Sequence, residues 1–561
     1  MPMRLEPLEP ENASATDTLF NRSDLADQVG GSNRLSLKNG SNGSRPNGSI
    51  AVLNDVSKDE DYHGVSKLET TRLIIQALHE MGYSSAAAVL ETESACSINS
   101  PEVSAFKAAV LDAQWTEAER LLGALELKPT ADVVSLKFLI RQQKYLEALE
   151  QRDLAGALSI LHNELTVLKY DVSRLHLLSS LIMCTSSADV RGQANWLGVQ
   201  GGSRLALFDQ LQKRISPAIM IPPHRLATLL NHATDYEVLK CTYHNVDGPI
   251  SLYTDHKCAR WELPTVPAKV LDDHTGEVWF VTFSNDGTKL ASASKDFSVI
   301  IWDLTRYKQM LALRGHADGV TAVAWSPDDS TIITCGYDRL VKLWHAKNGQ
   351  CMLSLSFDDA VTSCAWLGSG DSFIIGSLDM ERAITHWSID GRLLQHMTGV
   401  RIYDLTLTPD NSRIIAISNE KRLSIYSYTE WKLIAEFVLS GKMTCVTTSK
   451  DSKYALVNSC NKELHLWDLE QLQLVRKCLG HQQVDFVIRS CFGGVNDNFL
   501  VSGSEDSNIY IWKRDDGSLI EVLGGHTKGV NSVAWNPIDK HMFASASDDN
   551  TIRIWTSGRN L

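Results

Sequence analysis

A hydroxyl residue, a histidine and an aspartate recur together in the C-terminal half of this 561-residue chain, each time with a tryptophan following. The four sets are His274, Ser292, Asp296, Trp302; His316, Thr334, Asp338, Trp344; His481, Ser502, Asp506, Trp512; and His526, Ser545, Asp549, Trp555. Hydroxyl, imidazole and carboxylate together are the parts of a nucleophilic hydrolase. A nucleophile is needed once, however, whereas a hydrogen-bond relay that ties strands together is needed in every repeat. In such a relay the carboxylate orients the imidazole, the imidazole bonds the hydroxyl, and the indole N–H ends the chain. The sets therefore read as structural relays. One histidine per repeat also makes no metal-ligand cluster, and no metal is expected from them. No GxxxxGK[ST], HExxH or GxSxG occurs, so neither an enzyme active site nor a cofactor is expected.

Such relays need strands to hold them. From about Val266 the apolar period is two, with turn signals such as Asn285-Asp286-Gly287. Aromatic residues close an alternating strand at Trp302, Trp344, Trp387, Tyr426, Trp467, Trp512 and Trp555, at intervals of 42, 43, 39, 41, 45 and 43. That is the period of a four-stranded propeller blade. The last repeat is one strand short, and the strand near Val266–Leu271 is expected to complete it and close the ring. The third to fifth repeats carry Glu381, Glu420 and Asn461 at the aspartate position, so apolar packing is expected to hold them. The intact relays are expected in blades 6, 7, 1 and 2.

Residues 66 to about 231 have a helical period instead. Ile74, Ile75, Leu78 and Met81 share an apolar side before Gly82, and Ala86, Val89 and Leu90 continue on a second short helix. Further three- and four-residue spacings run through Phe106, Val110, Leu121, Leu122, Phe138, Leu158, Leu161 and Leu165. The fold class is thus multidomain α plus all-β, with a helical region followed by a seven-bladed propeller. Residues 1–65 are poor in large apolar side chains and rich in Ser, Asn and Gly, which predicts a disordered tail.

The bulk properties narrow the function. A formal net charge of −13 argues against a dedicated nucleic-acid binder. No apolar run is long enough to span a bilayer, and MPMRLEPLEP carries no apolar signal core. The 11 cysteines are odd in number and form no CxxC, which removes zinc ribbons, RING fingers and thioredoxin-type chemistry. A reducing location, cytoplasmic and nuclear, is expected.

The four-residue sets match the WD40 signature. SKLETTRLIIQALHEMGYSSAAAVLETESAC (66–96) resembles a LisH motif. NSPEVSAFKAAVLDAQWTEAERLLGAL followed by VVSLKFLIRQQKYLEALEQRDLAGALSIL is similar to a CTLH domain, and its continuation to a CRA segment. The order LisH–CTLH–CRA–WD40, with blocks such as SLYTDHKC and ASASDDNTIRIW, resembles the WD-repeat-containing protein 26 family. The boundaries implied are LisH 66–98, CTLH 99–158, CRA 159–232, a linker 233–262 and a propeller 263–561. The resemblance implies a non-catalytic subunit of a CTLH/GID-type E3 ubiquitin ligase. The implied partners are other LisH–CTLH subunits, including RING subunits and a SPRY-domain Ran-binding-protein homologue, together with substrate proteins. Two other readings stay open: a cullin-4 substrate receptor, whose Trp-Asp-x-Arg ending is missing from Trp302-Asp303-Leu304-Thr305, and a general signalling scaffold.

Two candidate interaction sites follow. Ile74, Ile75, Leu78 and Met81 are expected to dimerise the LisH motif into a homodimer or higher oligomer; the alternative is packing inside one chain. On a WD40 propeller, residues starting the first strand and preceding the relay aspartate face the top entrance. That mapping selects Trp279, Lys295, Thr321, Tyr337, Glu505, Asn531 and Asp548 as candidate partner-binding residues. The alternative for Trp279 is a covered strand residue.

Overall fold

The computed structural model describes residues 61–129, 132–184, 186–216 and 220–558. The tail expected over residues 1–65 lies almost wholly outside them. The chain divides into two compact units at Thr234–Asp235.

In the helical unit, a two-stranded hairpin (Asp61–Tyr62 with Val65–Ser66) leads into α1 (Lys67–Glu80). Ser66 caps α1 by accepting from the Glu69 amide at 3.4 Å, filling one of the orphan donors of a helix start. Gly82, at φ +88°, makes the turn into α2 (Ser84–Ser94). Pro101 opens α3 (Pro101–Leu111), where its missing N–H costs nothing, and Ser100 caps it. Next come α4 (Trp115–Leu122), α5 (Val133–Glu150), α6 (Leu154–Ile160), α7 (Val172–Ser180), α8 (Ser187–Ala194), α9 (Ser203–Gln212) and α10 (Arg225–Lys240).

The 18-residue α5 organises this unit because both of its sides are apolar. Leu136 and Ile140 pack with Val103, Phe106, Leu122 and Leu211. Phe138, Tyr145 and Leu149 pack with Leu165, Leu178 and Val190. Between the two cores runs a satisfied polar chain. The Trp196 indole donates to Gln143 (2.9 Å), Gln143 donates to Glu147 (2.8 Å) and Ser203 (2.8 Å), and Arg204 forks onto Glu147.

Two expected boundaries are corrected. A cut between 158 and 159 falls inside α6, and the stretch expected to be a linker from 233 begins as the last two turns of α10. Beyond Lys240 the connection is not free either. Asn245 donates to the carbonyls of Glu262 (3.0 Å) and Lys540 (2.7 Å) and accepts from the Val495 amide (3.0 Å), which binds it to blades 6 and 7.

The second unit contains seven four-stranded antiparallel sheets. The ring closes as expected: Val266–Leu271 pairs with Ile552–Thr556, Leu271 opposite Ile552. Blades 1 to 6 begin at Val278, Val320, Val361, Ile402, Met443 and Ser490, and blade 7 at Val530. Every second strand of a blade is almost wholly buried, because it is covered on both faces by neighbouring blades.

Candidate protein-interaction site

Three of the four relays form. In blade 1, His274 Nδ1 donates to Asp296 (2.8 Å), Ser292 lies 2.8 Å from Nε2, and the Trp302 indole donates to the Ser292 hydroxyl (2.8 Å). In blade 2 the same contacts run Asp338–His316 (2.9 Å), His316–Thr334 (2.7 Å) and Trp344–Thr334 (2.8 Å). In blade 7 they run Asp549–His526 (3.0 Å), His526–Ser545 (2.8 Å) and Trp555–Ser545 (2.9 Å). Burial disfavours the Asp296 charge. Hydrogen bonds from His274, Ser298 and the Thr275 amide outweigh that and hold its carboxyl well below the usual range. The hydroxyls are sealed inside the sheets, and each carries an indole N–H where a nucleophile would need substrate.

Blade 6 departs from the expectation. His481 bonds neither Ser502 nor Asp506; the Asp506 carboxylate takes the Tyr510 hydroxyl (2.7 Å) and the Trp512 indole donates to the Leu479 carbonyl (3.0 Å). The chain ahead of its strand also differs in length. His274, His316 and His526 stand seven residues before the strand residue paired with the relay hydroxyl (Val281, Val323 and Val533), whereas nine separate His481 from Ser490, which pairs with Ser502. Burial pushes the His481 imidazole down to about 4. The intact arc is therefore blades 7, 1 and 2. Blades 3 and 5 depart from the relay as expected: Trp387 donates to its own strand's Thr385 (2.9 Å), Asn461 turns to Ser440 (3.2 Å), and Trp467 packs on Phe437 with ring centroids 4.7 Å apart.

The seven candidate binding residues divide. Trp279 and Tyr337 meet edge to face, ring centroids 6.0 Å apart. Around them Lys295 pairs with Glu277 (3.2 Å), the Trp279 indole donates to Glu277 (3.3 Å), and Asn531 donates to Asp548 (2.6 Å). Burial raises the Asp548 carboxyl, so this charge is held at a cost. Trp279 is only 6% exposed, which makes it a covered residue and corrects its reading as an open anchor. Its ring packs close against Gly319, where an added Cβ would collide with it. Thr321 is fully buried, and its hydroxyl donates to the Cys335 (3.0 Å) and Val361 (2.7 Å) carbonyls, stitching blade 2 to blade 3. Glu505 is also occupied internally, accepting from the amides of Val484, Asp485 and Phe486 at 2.8–3.0 Å. Asn531 and Asp548, 5% and 8% exposed and bonded to each other, are covered as well, which leaves Tyr337 and Lys295 at the blade 7–1–2 sector.

The sequence reading missed the centre of the ring. Arg489, ahead of blade 6, pairs with Asp404 of blade 4 (3.1 Å), lies 4.8 Å from the Phe280 ring of blade 1, and donates to the Thr321 carbonyl (3.4 Å). Burial raises the Asp404 carboxyl and the Arg489 charge opposes that rise. The pair lines a central cavity of about 370 Å³. It also missed Cys241, His244, His256 and Cys258, whose ligand atoms lie within 4.8 Å of one another. The rejection of metal rested on the repeat histidines and on the lack of a CxxC, and this group belongs to neither.

In the helical unit, Ile74 and Met81 are 41% and 61% exposed on one side of α1, with Leu78 half-buried between them. Ile75 is fully buried, so it belongs to the unit's own packing and not to an outward face, a correction to its place in the dimerisation set. Its neighbour Gln76 donates to the Pro222 carbonyl (2.8 Å), which turns that side of α1 inward.

The chain is thus built of a LisH-type helical pair, a CTLH-type helical core and a closed propeller whose polar network spans three blades. Comparisons with known proteins agree. Profiles described as WDR26 Lis-homology domain and as TPR1-like, CTLH-containing domain match residues 57–100 and 102–221. Others described as IFT122 first beta-propeller and as WD domain, G-beta repeat match residues 254–506 and 517–556. The WD repeat-containing protein 26 homolog of Arabidopsis thaliana is 36% identical over 88% of this chain and 84% of its own length. That of Drosophila melanogaster is 36% identical over 87% and 80%. The GID complex subunit 7 of Schizosaccharomyces pombe is 38% identical over 88% of this chain and 98% of its own. The chain belongs to the WD-repeat-containing protein 26 family.

Proposed function

We propose that this chain is a non-catalytic scaffold and substrate- or regulator-binding subunit of a CTLH/GID-type E3 ubiquitin ligase. The observation that carries the reading is the order of its parts. LisH, CTLH-containing and propeller segments follow one another along this chain, and a relative named GID complex subunit 7 aligns with it over 98% of that relative's length. In this reading the helical unit joins other LisH–CTLH subunits, RING and SPRY-domain chains among them, and the exposed side of α1 pairs two copies. The propeller receives a protein through its blade 7–1–2 sector, where Tyr337 and Lys295 stand beside Asp548. Ubiquitin transfer belongs to the other chains, and the assembly works in cytoplasm and nucleus.

The test is co-purification of the tagged full-length chain from native lysate, followed by mass spectrometry. Recovery of LisH–CTLH RING subunits is expected, and a cullin-4 adaptor in their place overturns the reading. Ile74→Asp with Met81→Asp is expected to lower the mass of the wild-type oligomer in light scattering, because two charges would enter an apolar contact. An unchanged mass removes α1 from the interface.

A further inference from the structure

The segment after α10 contains four side chains that the relays, the blade 7–1–2 sector and the helical unit do not use. Cys241 follows the last residue of α10, its amide donating to the Glu237 (3.0 Å) and Val238 (3.1 Å) carbonyls, and His244 stands one turn further on. His256 and Cys258 return from the other end of the connection, one residue apart. His244 Nδ1 is 2.8 Å from His256 Nε2, and Cys258 Sγ is 3.2 Å from His256 Nε2 and 3.7 Å from His244 Nδ1. The Cys258 amide donates to Cys241 Sγ at 3.2 Å. Two ring nitrogens and two sulfurs therefore converge on one point, all within 4.8 Å of one another.

We propose that Cys241, His244, His256 and Cys258 form a structural zinc site. Tetrahedral ligands at ordinary Zn–N and Zn–S lengths stand roughly 3.3–3.8 Å apart; the separations here run from 2.8 Å to no more than 4.8 Å, so the closest pair need only open and the widest close by about 1 Å or less. The donor set selects the metal. Two sulfurs and two imidazoles in a tetrahedral group suit Zn²⁺, and no oxygen ligand is present for Ca²⁺ or Mg²⁺. Two thiolates also neutralise the ion, so the site can be half-buried without leaving a net charge. The Cys258 amide supplies a hydrogen bond to a thiolate of the kind that orients metal ligands. Four protein ligands leave no open position, which makes the site structural and not catalytic.

The ion would have mechanical work to do. Cys241 and Cys258 bracket a connection with no helix or strand of its own, and the chain beside them is fastened to the ring. Asn245 bonds the blade 6 and blade 7 turns. Arg260 pairs with Glu521 of blade 6 (2.6 Å), and Lys513 of the same blade donates to the Cys241 carbonyl (3.0 Å). A cation cross-linking the two ends would close this loop and remove much of the freedom it has to lose on folding.

The test uses the full-length chain purified under reducing, chelator-free conditions. Elemental analysis is expected to give one zinc per chain. Replacement by Co²⁺ is expected to give the visible bands of a tetrahedral thiolate centre. Cys241→Ser with Cys258→Ser is expected to lose the metal, whereas Cys351→Ser, at an exposed site, is expected to keep it. Should the double variant fail to fold, the wild-type cobalt spectrum decides alone. Wild-type protein without zinc and without that spectrum overturns the proposal. Zinc retained by a folded double variant does the same.

Discussion

Blades 1 and 6 carry the same four residue types, yet only blade 1 wires them together. In blade 1 the aspartate, histidine, serine and tryptophan form one unbroken chain of hydrogen bonds. In blade 6 the aspartate is taken by Tyr510, the tryptophan by a backbone carbonyl, and the histidine stands apart. The difference is made between the residues, by two extra positions separating His481 from the strand residue that faces the relay hydroxyl. A relay is thus a property of loop length as much as of composition. A blade that has lost it survives on apolar packing: Leu456, Leu464, Leu500 and Trp512 close the core beside blade 5.

The largest expected effect comes from removing the carboxylate in each blade. Asp296→Ala strands the His274 ring, the Thr275 amide and the Ser298 hydroxyl in a nearly sealed space, and is expected to cost roughly 3–4 kcal/mol. Asp506→Ala removes an exposed carboxylate from the Tyr510 hydroxyl and the Asn508 amide, and is expected to cost about 1 kcal/mol. Calorimetric melting of both variants measures the gap. Equal losses would erase the distinction drawn between the blades.

Acid separates the intact relays of blades 1 and 7 from blade 6 by a different route. Asp296 and Asp549 are held below their ordinary value of 3.8 in the fold. Their stabilisation is therefore complete above pH ~4 and is lost as pH falls further, through the folded values. His481 works the other way round, from 6.5 down to about 4. The unfolded chain binds its proton first, so stability falls as pH drops from about 6.5 towards 4, by roughly 2–3 kcal/mol in all. Urea unfolding across this range is expected to show that limb in the wild type and a flatter one in His481→Gln. An unaltered limb would assign it to other groups, such as His316 and His465, which burial also lowers.

A smaller contrast lies in the indoles. Trp302→Phe leaves a buried serine without its donor, while Trp512→Phe leaves a strand-end carbonyl. We expect about 1 kcal/mol more loss in the first case, read from paired denaturation curves. A reversed order would place the weight of blade 6 on its tryptophan.

These contrasts mark how far the sequence could be read. The ring was legible because strand alternation and a period near 42 are local signals, and its closure followed from a missing strand. Three relays were legible because their loops share one length. The fourth was not, since the insertion before Ser490 changes geometry without changing any signature residue. Trp279 was misjudged because its cover depends on Gly319, in the next blade. Ile75 and Ile74 are neighbours in sequence, and which one faces inward depends on what α1 packs against. Arg489 and Asp404, 85 residues apart, meet only because the ring brings blades 4 and 6 to one axis. The Cys–His group was invisible to a search for paired cysteines, since each of its halves supplies one cysteine and one histidine.

The finest distinction concerns why the blade 6 relay fails. Tyr510 lies directly opposite Ser502 in the ladder, where blade 1 has Ile300 opposite Ser292. Its hydroxyl could itself be the thief of the carboxylate, or it could occupy a group that the long loop had already put beyond reach. Tyr510→Phe separates the two causes while keeping the ring stacked on Trp512, at 5.8 Å and 20°. Loss of one hydrogen bond to an exposed carboxylate is expected to cost under about 1 kcal/mol. If loop length is the cause, His481 stays apart from Asp506 and its imidazole still titrates at about 4, followed by NMR of the ring protons. If Tyr510 is the cause, the freed carboxylate reaches the imidazole and favours its charged form, so the titration moves up. The nine-residue separation from the strand favours the first outcome, and a rise in the variant would shift the explanation from the loop to a single hydroxyl.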